Sequence, residues 1–198
     1  MFPPLPFPLI LGSSSPFRRK VLHDAGLSFE TLSPDIDEAS ISSDDPELLA
    51  RAIAAAKMDA LEKQFTGPAI ALSADQVVDV AGTIRGKPPT RERAREYLES
   101  YRHHYAETIS AIVVANTATG HRAIGVDRAR IFINPLDDET IEKILDEGTV
   151  FHCAGGFAID HPLMAPFVNR IEGTTDSVIG MPLALTARLI REVLGLIN

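Results

Sequence analysis

Apolar residues along this chain come in short blocks separated by turn-forming clusters, and the spacing inside each block predicts its structure. Pro8-Leu9-Ile10-Leu11-Gly12 is an unbroken apolar run closed by a small residue, which predicts a buried strand. Ser13-Ser14-Ser15-Pro16 follows it. A hydroxyl side chain before a proline predicts a helix start, with Ser15 as N-cap and Pro16 at the first helical position. That helix carries Phe17 to Ala25 and stops at Gly26, and Phe29 to Ser33 reads as another strand. Pro46 to Gln64 is rich in Ala and Leu at helical spacing and predicts a long helix. Pro68 to Val80 is a buried strand interrupted by Asp75, with a turn at Ala81-Gly82-Thr83 and a helix over Arg91 to Tyr101. Glu107 to Asn116 and His121 to Ile133 form paired strands joined at Ala118-Thr119-Gly120. Leu136 to Glu147 is helical, with Asp137 or Asp138 near its start, and Pro182 to Leu196 closes the chain as a helix.

Strands and helices mix, and the hairpin excludes a purely parallel sheet. The fold class is α/β (α+β), a mixed twisted sheet with flanking helices. A length of 198 residues suits a single domain over 1–198, in which residues 1–8 are a poorly ordered extension. With 45% hydrophobic and 23% charged residues the chain has material for a sizeable core.

Charge narrows the functional classes. Twenty-seven acids against 19 Lys and Arg leave a net charge of −8, which disfavours a broad nucleic-acid face and favours a focused anion pocket. The basic clusters Arg18-Arg19-Lys20 and Arg85-Gly86-Lys87 are the places for one. A single cysteine, Cys153, excludes an internal disulfide or a cysteine-based zinc cluster. The stretch Met1 to Leu11 lacks a positive n-region, is cut by four prolines and is too short to span a bilayer. No membrane partner is expected, and a cytoplasmic location is the default.

Four segments carry candidate chemistry. In Gly12 to Arg19 a strand passes through Ser13, Ser14 and Ser15 into a helix N-terminus, where backbone N–H groups and Arg18 or Arg19 can hold a phosphate. The plainer alternative is a capped helix with solvated basic residues, and the segment is no Walker loop. Asp75 inside an apolar strand is costly to bury unless it is paired or meets a cation. It can ligate magnesium, accept a proton from attacking water, or cap a strand end. Gly86-Lys87-Pro88 sets an ammonium beside a glycine. Lys57 in the Ala-rich helix is a second ammonium, and Glu38 after Asp35-Ile36-Asp37 a second metal carboxylate, unless both are merely solvated. Gly155, Gly156 and Phe157, followed by Asp160, suggest a tight backbone wall against a flat group such as a base, or else a turn between strands. A His152–Cys153 nucleophile pair is disfavoured because neighbours on an extended chain point to opposite faces.

The order of these segments resembles the Maf family of nucleotide pyrophosphatases. Ser13-Ser14-Ser15-Pro16-Phe17-Arg18 resembles its S-x-S-P-R-R motif, and Asp35 to Glu38, the Lys57 helix, Ala74-Asp75 and Gly86-Lys87-Pro88 follow in family order. Cys153-Ala154-Gly155-Gly156-Phe157, Ile171-Glu172-Gly173 and Ser177 to Pro182 resemble its later signatures. The resemblance implies hydrolysis of a nucleoside triphosphate to monophosphate and pyrophosphate with a divalent metal cation, Mg2+ or Mn2+. It also implies a cleft between two lobes, a fold related to that of inosine triphosphatases, frequent homodimers and a housecleaning role. Arg18 and the Ser13 to Ser15 loop would hold phosphates, with Lys57 and Lys87. Glu38 and Asp75 would bind metal, and Asp75 could also act on water. Asp75-Gln76 and His152 to Gly155 resemble the 7-methyl-GTP branch more than the dTTP/UTP branch. Phe17 stands where the family has its first arginine, Lys20 replaces an acid, and Asp160-His161-Pro162 replaces a Gln-Gly segment. These departures keep open the alternative of a nucleotide-binding regulator, without turnover, linked to cell division.

Overall fold

The computed structural model describes residues 2–197. In chain order its strands are β1 (Leu9–Gly12), β2 (Glu30–Leu32), β3 (Ile70–Val80), β4 (Thr83–Arg85), β5 (Ala106–Asn116), β6 (His121–Ile133) and β7 (Val168–Glu172). The α-helices are α1 (Pro16–Asp24), α2 (Pro46–Leu61), α3 (Arg91–Ser100), α4 (Asp138–Glu147), α5 (Thr175–Ile179) and α6 (Leu183–Val193). The strands form one mixed sheet of order β2-β1-β3-β5-β6-β7, with β4 on β3. β1 runs parallel to both β2 and β3, whereas β4 and β7 are antiparallel to β3 and β6. No helix among the described residues is long and apolar enough to cross a membrane.

The chain divides into two compact units. The first takes the N-terminal stretch through Gln76, Ser110–Asp127 and the chain from Ile179 onward. Its core sets Leu9 and Leu11 of β1, Ile70, Leu72 and Ala74 of β3, and Ile112 and Val114 of β5 against Leu22, Leu189 and Ile190 from helices α1 and α6. A strand alternates its side chains between faces, so Ala71, Ser73 and Asp75 point away from that cluster. Both faces are covered, which is why β3 reads as an almost continuous apolar run. Within the stretch expected to be a poorly ordered extension, Phe2, Leu5 and Phe7 are partly buried against this core; Met1 lies outside the described residues.

The second unit comprises Val77–Ile109 and Arg128–Val178. Val78 and Val80, Leu98 and Tyr101, Ile131 and Ile133, and Ile141 and Ile144 make its core. Helix α4 is closed at both ends by local chemistry. Asp137 accepts the Thr140 N–H at 2.7 Å, and Gly148 takes the left-handed conformation after the last turn.

Every element expected from periodicity is present. Three others escape a periodicity reading. β4 is three residues long, α5 is five, and β7 is an edge strand in which only Val168 and Ile171 are apolar. The segment around Gly155 is not a turn between strands; two 3-10 turns, Thr149–His152 and Ala154–Gly156, follow helix α4 instead. Gly173, just after β7, has φ +120°, and a Cβ there would lie 2.7 Å from the Ala129 Cβ and 3.1 Å from its Cα. Gly173→Ala therefore combines backbone strain with overpacking and is expected to lower the unfolding free energy by about 2–5 kcal/mol. Denaturant melts of the two proteins check this, and equal midpoints would refute it.

Candidate active site

Strand periodicity places the first cluster. Ser73 and Asp75 share the face of β3 that meets α2. The Ser73 hydroxyl donates to the Ala54 carbonyl at 2.8 Å, and one turn further along the helix the Lys57 ammonium donates to Asp75 Oδ1 at 2.7 Å. The same Lys57 Nζ lies 2.9 Å from Glu38 Oε1, brought in by a 3-10 turn over Glu38–Ser40. Side-chain exposure runs from 9% at Asp75 through 12% at Lys57 to 55% at Glu38, so the cluster opens to solvent on the Glu38 side. Burial raises the Asp75 pKa above the ordinary aspartate value; Lys57 and Arg18 pull it back down, and Glu38 pushes it up. The folded protein thus holds this proton more tightly than the unfolded chain does. Asp75 favours folding below the ordinary carboxylate range and loses that contribution as pH rises through its elevated value.

Arg18 enters from α1. Ser15 caps this helix by accepting the Arg18 N–H at 3.4 Å, and Ser13 Oγ in turn accepts the Ser15 N–H at 3.2 Å. The guanidinium reaches back across the unit, donating from Nε to the Gly180 carbonyl at 3.1 Å and from Nη1 to the Ala74 carbonyl at 2.9 Å. Burial of this head lowers its pKa from the usual arginine value, and Asp75 and then Glu38 raise it. Arg18 is therefore anchored beside Asp75 through backbone carbonyls. Ser13 is buried, Ser14 is exposed and Arg19 lies on the exposed face of α1. Lys20 pairs with Asp24 at 2.5 Å, and Phe17 is exposed.

The remaining expected residues belong to the second unit. Lys87 is exposed in the turn after β4, next to the buried Pro88. Gly155 and Gly156 are buried. The Gly155 N–H donates to the Gly86 carbonyl at 3.1 Å, and its own carbonyl accepts the Tyr101 hydroxyl at 2.6 Å. A Cβ on Gly155 would come within 3.0 Å of the Tyr101 hydroxyl, so the glycine pair is tightly enclosed. Phe157 is 6% exposed and meets the Tyr101 ring edge-on at 5.5 Å between centroids. That ring is part of the core. Asp160 is exposed. Burial, with Asp160 adding, pushes the Cys153 thiol up to about 11, so it is no nucleophilic thiolate.

Asp75 and Glu38 are hard oxygen donors that converge on one nitrogen, a set that suits Mg2+ or Mn2+ in place of that nitrogen. Among the described residues no group of three or more His, Cys, Asp or Glu could hold a metal ion. Two carboxylates would leave the rest of a coordination sphere to water and phosphate oxygens, the usual arrangement for magnesium.

Residues 8–193 match the family model described as Maf-like protein. The chain belongs to the Maf family. A 7-methyl-GTP pyrophosphatase of Dictyostelium discoideum is 42% identical over 193 residues, covering 94% of this chain and 97% of its relative. A nucleoside triphosphate pyrophosphatase of Synechococcus sp. (strain JA-3-3Ab) is 35% identical, covering 94% of each. Among solved structures, a HAM1 protein from Coxiella burnetii is 18% identical with a TM-score of 0.40, covering 63% of this chain and 73% of that one.

Two features of this Maf chain escape a reading of side-chain chemistry. Gly180 supplies a carbonyl, and its absent side chain leaves room for Gln76, whose amide would lie 3.1 Å from a Cβ there. Ser73 fixes the strand against the helix through one hydrogen bond. The only sequence signals for them are a glycine in a late motif and a small polar residue two positions before an acid. The ion pair itself is open to test. Followed by NMR, Asp75 is expected to titrate above an ordinary aspartate, and Lys57→Met should move its midpoint further up. A downward move, or none, would remove the pairing.

Proposed function

We propose that this chain is a metal-dependent nucleoside triphosphate pyrophosphatase that takes 7-methyl-GTP in preference to dTTP or UTP. The observation that carries the reading is the Asp75–Lys57–Glu38 cluster beside Arg18 and the Ser13 to Ser15 loop. It sets two carboxylates and two cations at a helix N-terminus, where a triphosphate meets both N–H donors and positive charge. The 42% identity to a relative named 7-methyl-GTP pyrophosphatase supports the base preference.

Water would attack the α-phosphorus. The bond from that phosphorus to the α–β bridging oxygen breaks, releasing pyrophosphate and the monophosphate. Asp75, whose proton affinity is raised by burial, orients the water and takes its proton. Lys57, Arg18 and Arg19 offset charge on the phosphates, while Ser13, Ser14 and Ser15 offer hydroxyl and N–H donors. A divalent metal held by Glu38 and Asp75 would supply Lewis-acid stabilisation of the departing charge. A homodimer in the cytosol, removing modified nucleotides before their incorporation, completes the reading.

Incubation with a nucleotide panel and Mg2+ or Mn2+ tests it by pyrophosphate release, with 7-methyl-GTP expected to turn over fastest. Tight binding without release would make the chain a regulator instead. Asp75→Asn should lower turnover by about 100-fold or more while the melting curve stays cooperative; near-normal rates would take Asp75 out of the mechanism. Lys87→Glu should raise KM and lower kcat together. An effect on thermal stability alone would make Lys87 purely structural.

A further inference from the structure

Lys57 does not stand free to receive a phosphate. Its ammonium already bridges Asp75 Oδ1 at 2.7 Å and Glu38 Oε1 at 2.9 Å, the two oxygens a divalent cation would need. A cation seated between those two oxygens would have to take the position the ammonium now fills. We propose that Lys57 is a resident counter-ion for the metal site: it occupies the carboxylate pair while no nucleotide is bound, and yields it when a metal arrives together with a polyphosphate that takes over the ammonium.

Charge supports this exchange. Asp75 and Glu38 carry two negative charges, and Lys57 and Arg18 two positive ones, so the cluster is close to neutral as it stands. A divalent ion arriving alone would leave a surplus of two positive charges in a partly desolvated place. A metal–triphosphate complex brings its own anionic oxygens, and these give the displaced ammonium and the Arg18 head new partners. Geometry supports it too. Glu38 lies on the solvent side, so Lys57 can release it and turn outward while α2 and β3 remain docked through Ser73 and Ala54. Arg18 cannot make the same move without giving up the Gly180 and Ala74 carbonyls. Lys57 is the mobile cation of the pair and Arg18 the fixed one. Free metal is therefore held weakly, and the nucleotide controls metal occupancy.

This inference rests on the pyrophosphatase reading for its purpose, but its test uses metal alone and so fails or succeeds independently of the nucleotide panel. Mn2+ binding is measured by calorimetry without nucleotide on the wild-type chain, on Lys57→Met and on Lys57→Gln, each first shown by melting to be folded. Removing the ammonium takes a like charge from beside the incoming ion and should tighten Mn2+ binding by about tenfold or more. Unchanged or weaker binding in both variants overturns the proposal. Should neither variant fold, the Lys57 ammonium is followed by nitrogen NMR in the wild type during titration with Mg2+. Hydrogen bonds to two carboxylates should slow its proton exchange, and metal saturation should restore fast exchange. An ammonium signal unaltered at metal saturation overturns the proposal.

Discussion

An ionised carboxylate inside a sheet that is covered on both faces is stable only if a cation meets it, and in the first unit this requirement organises everything near Asp75. An unpaired charge at such a depth costs about 3–5 kcal/mol, a large share of a domain's net stability. Lys57 meets the need from α2. The helix must then hold one rotation and one offset against β3, which the Ser73 hydroxyl fixes one turn earlier at the Ala54 carbonyl. Glu38 joins as a second acceptor for the same ammonium, so the short 3-10 turn over Glu38–Ser40 is tied to α2 by an ion pair. Arg18 adds a second positive charge, held by backbone carbonyls instead of by a carboxylate. The result is a balanced set of charges in which each member is positioned by a different element.

How much of this was legible follows from the range of each interaction. The Ser15 cap, the Pro16 helix start and the strand Pro68 to Val80 are local, and a few neighbouring residues specify them. Asp75 stood out because an acid in an apolar run needs a partner; which partner it has depends on how α2 docks, and nothing within the segment fixes that. β7 stayed hidden because an edge strand exposes alternate positions and needs little apolar patterning. Prolines prevent regular structure over residues 2–8, yet Phe2, Leu5 and Phe7 still reach apolar partners, which periodicity does not reveal.

The glycine pair illustrates a different limit. Gly155 and Gly156 suggest close approach by something flat, and close approach is what occurs. The neighbours are Tyr101, Tyr97, Pro88 and Phe157 of the second unit itself. Both glycines have positive φ, a conformation that side chains strain, so these positions are set by backbone geometry as well as by space. The same packing desolvates Cys153, which holds its thiol protonated and inert.

The anchoring of Arg18 joins residues 162 positions apart, since the carbonyl accepting its Nε belongs to Gly180. During synthesis on the ribosome, a nascent chain carries Arg18, Lys57 and Asp75 long before that carbonyl exists. All of the second unit's sequence is made before the segment that completes the first unit. Lys57 and Asp75, only 18 positions apart, need no such wait, so the Arg18 anchor through Gly180 is the one part of the cluster that must follow synthesis of the second unit.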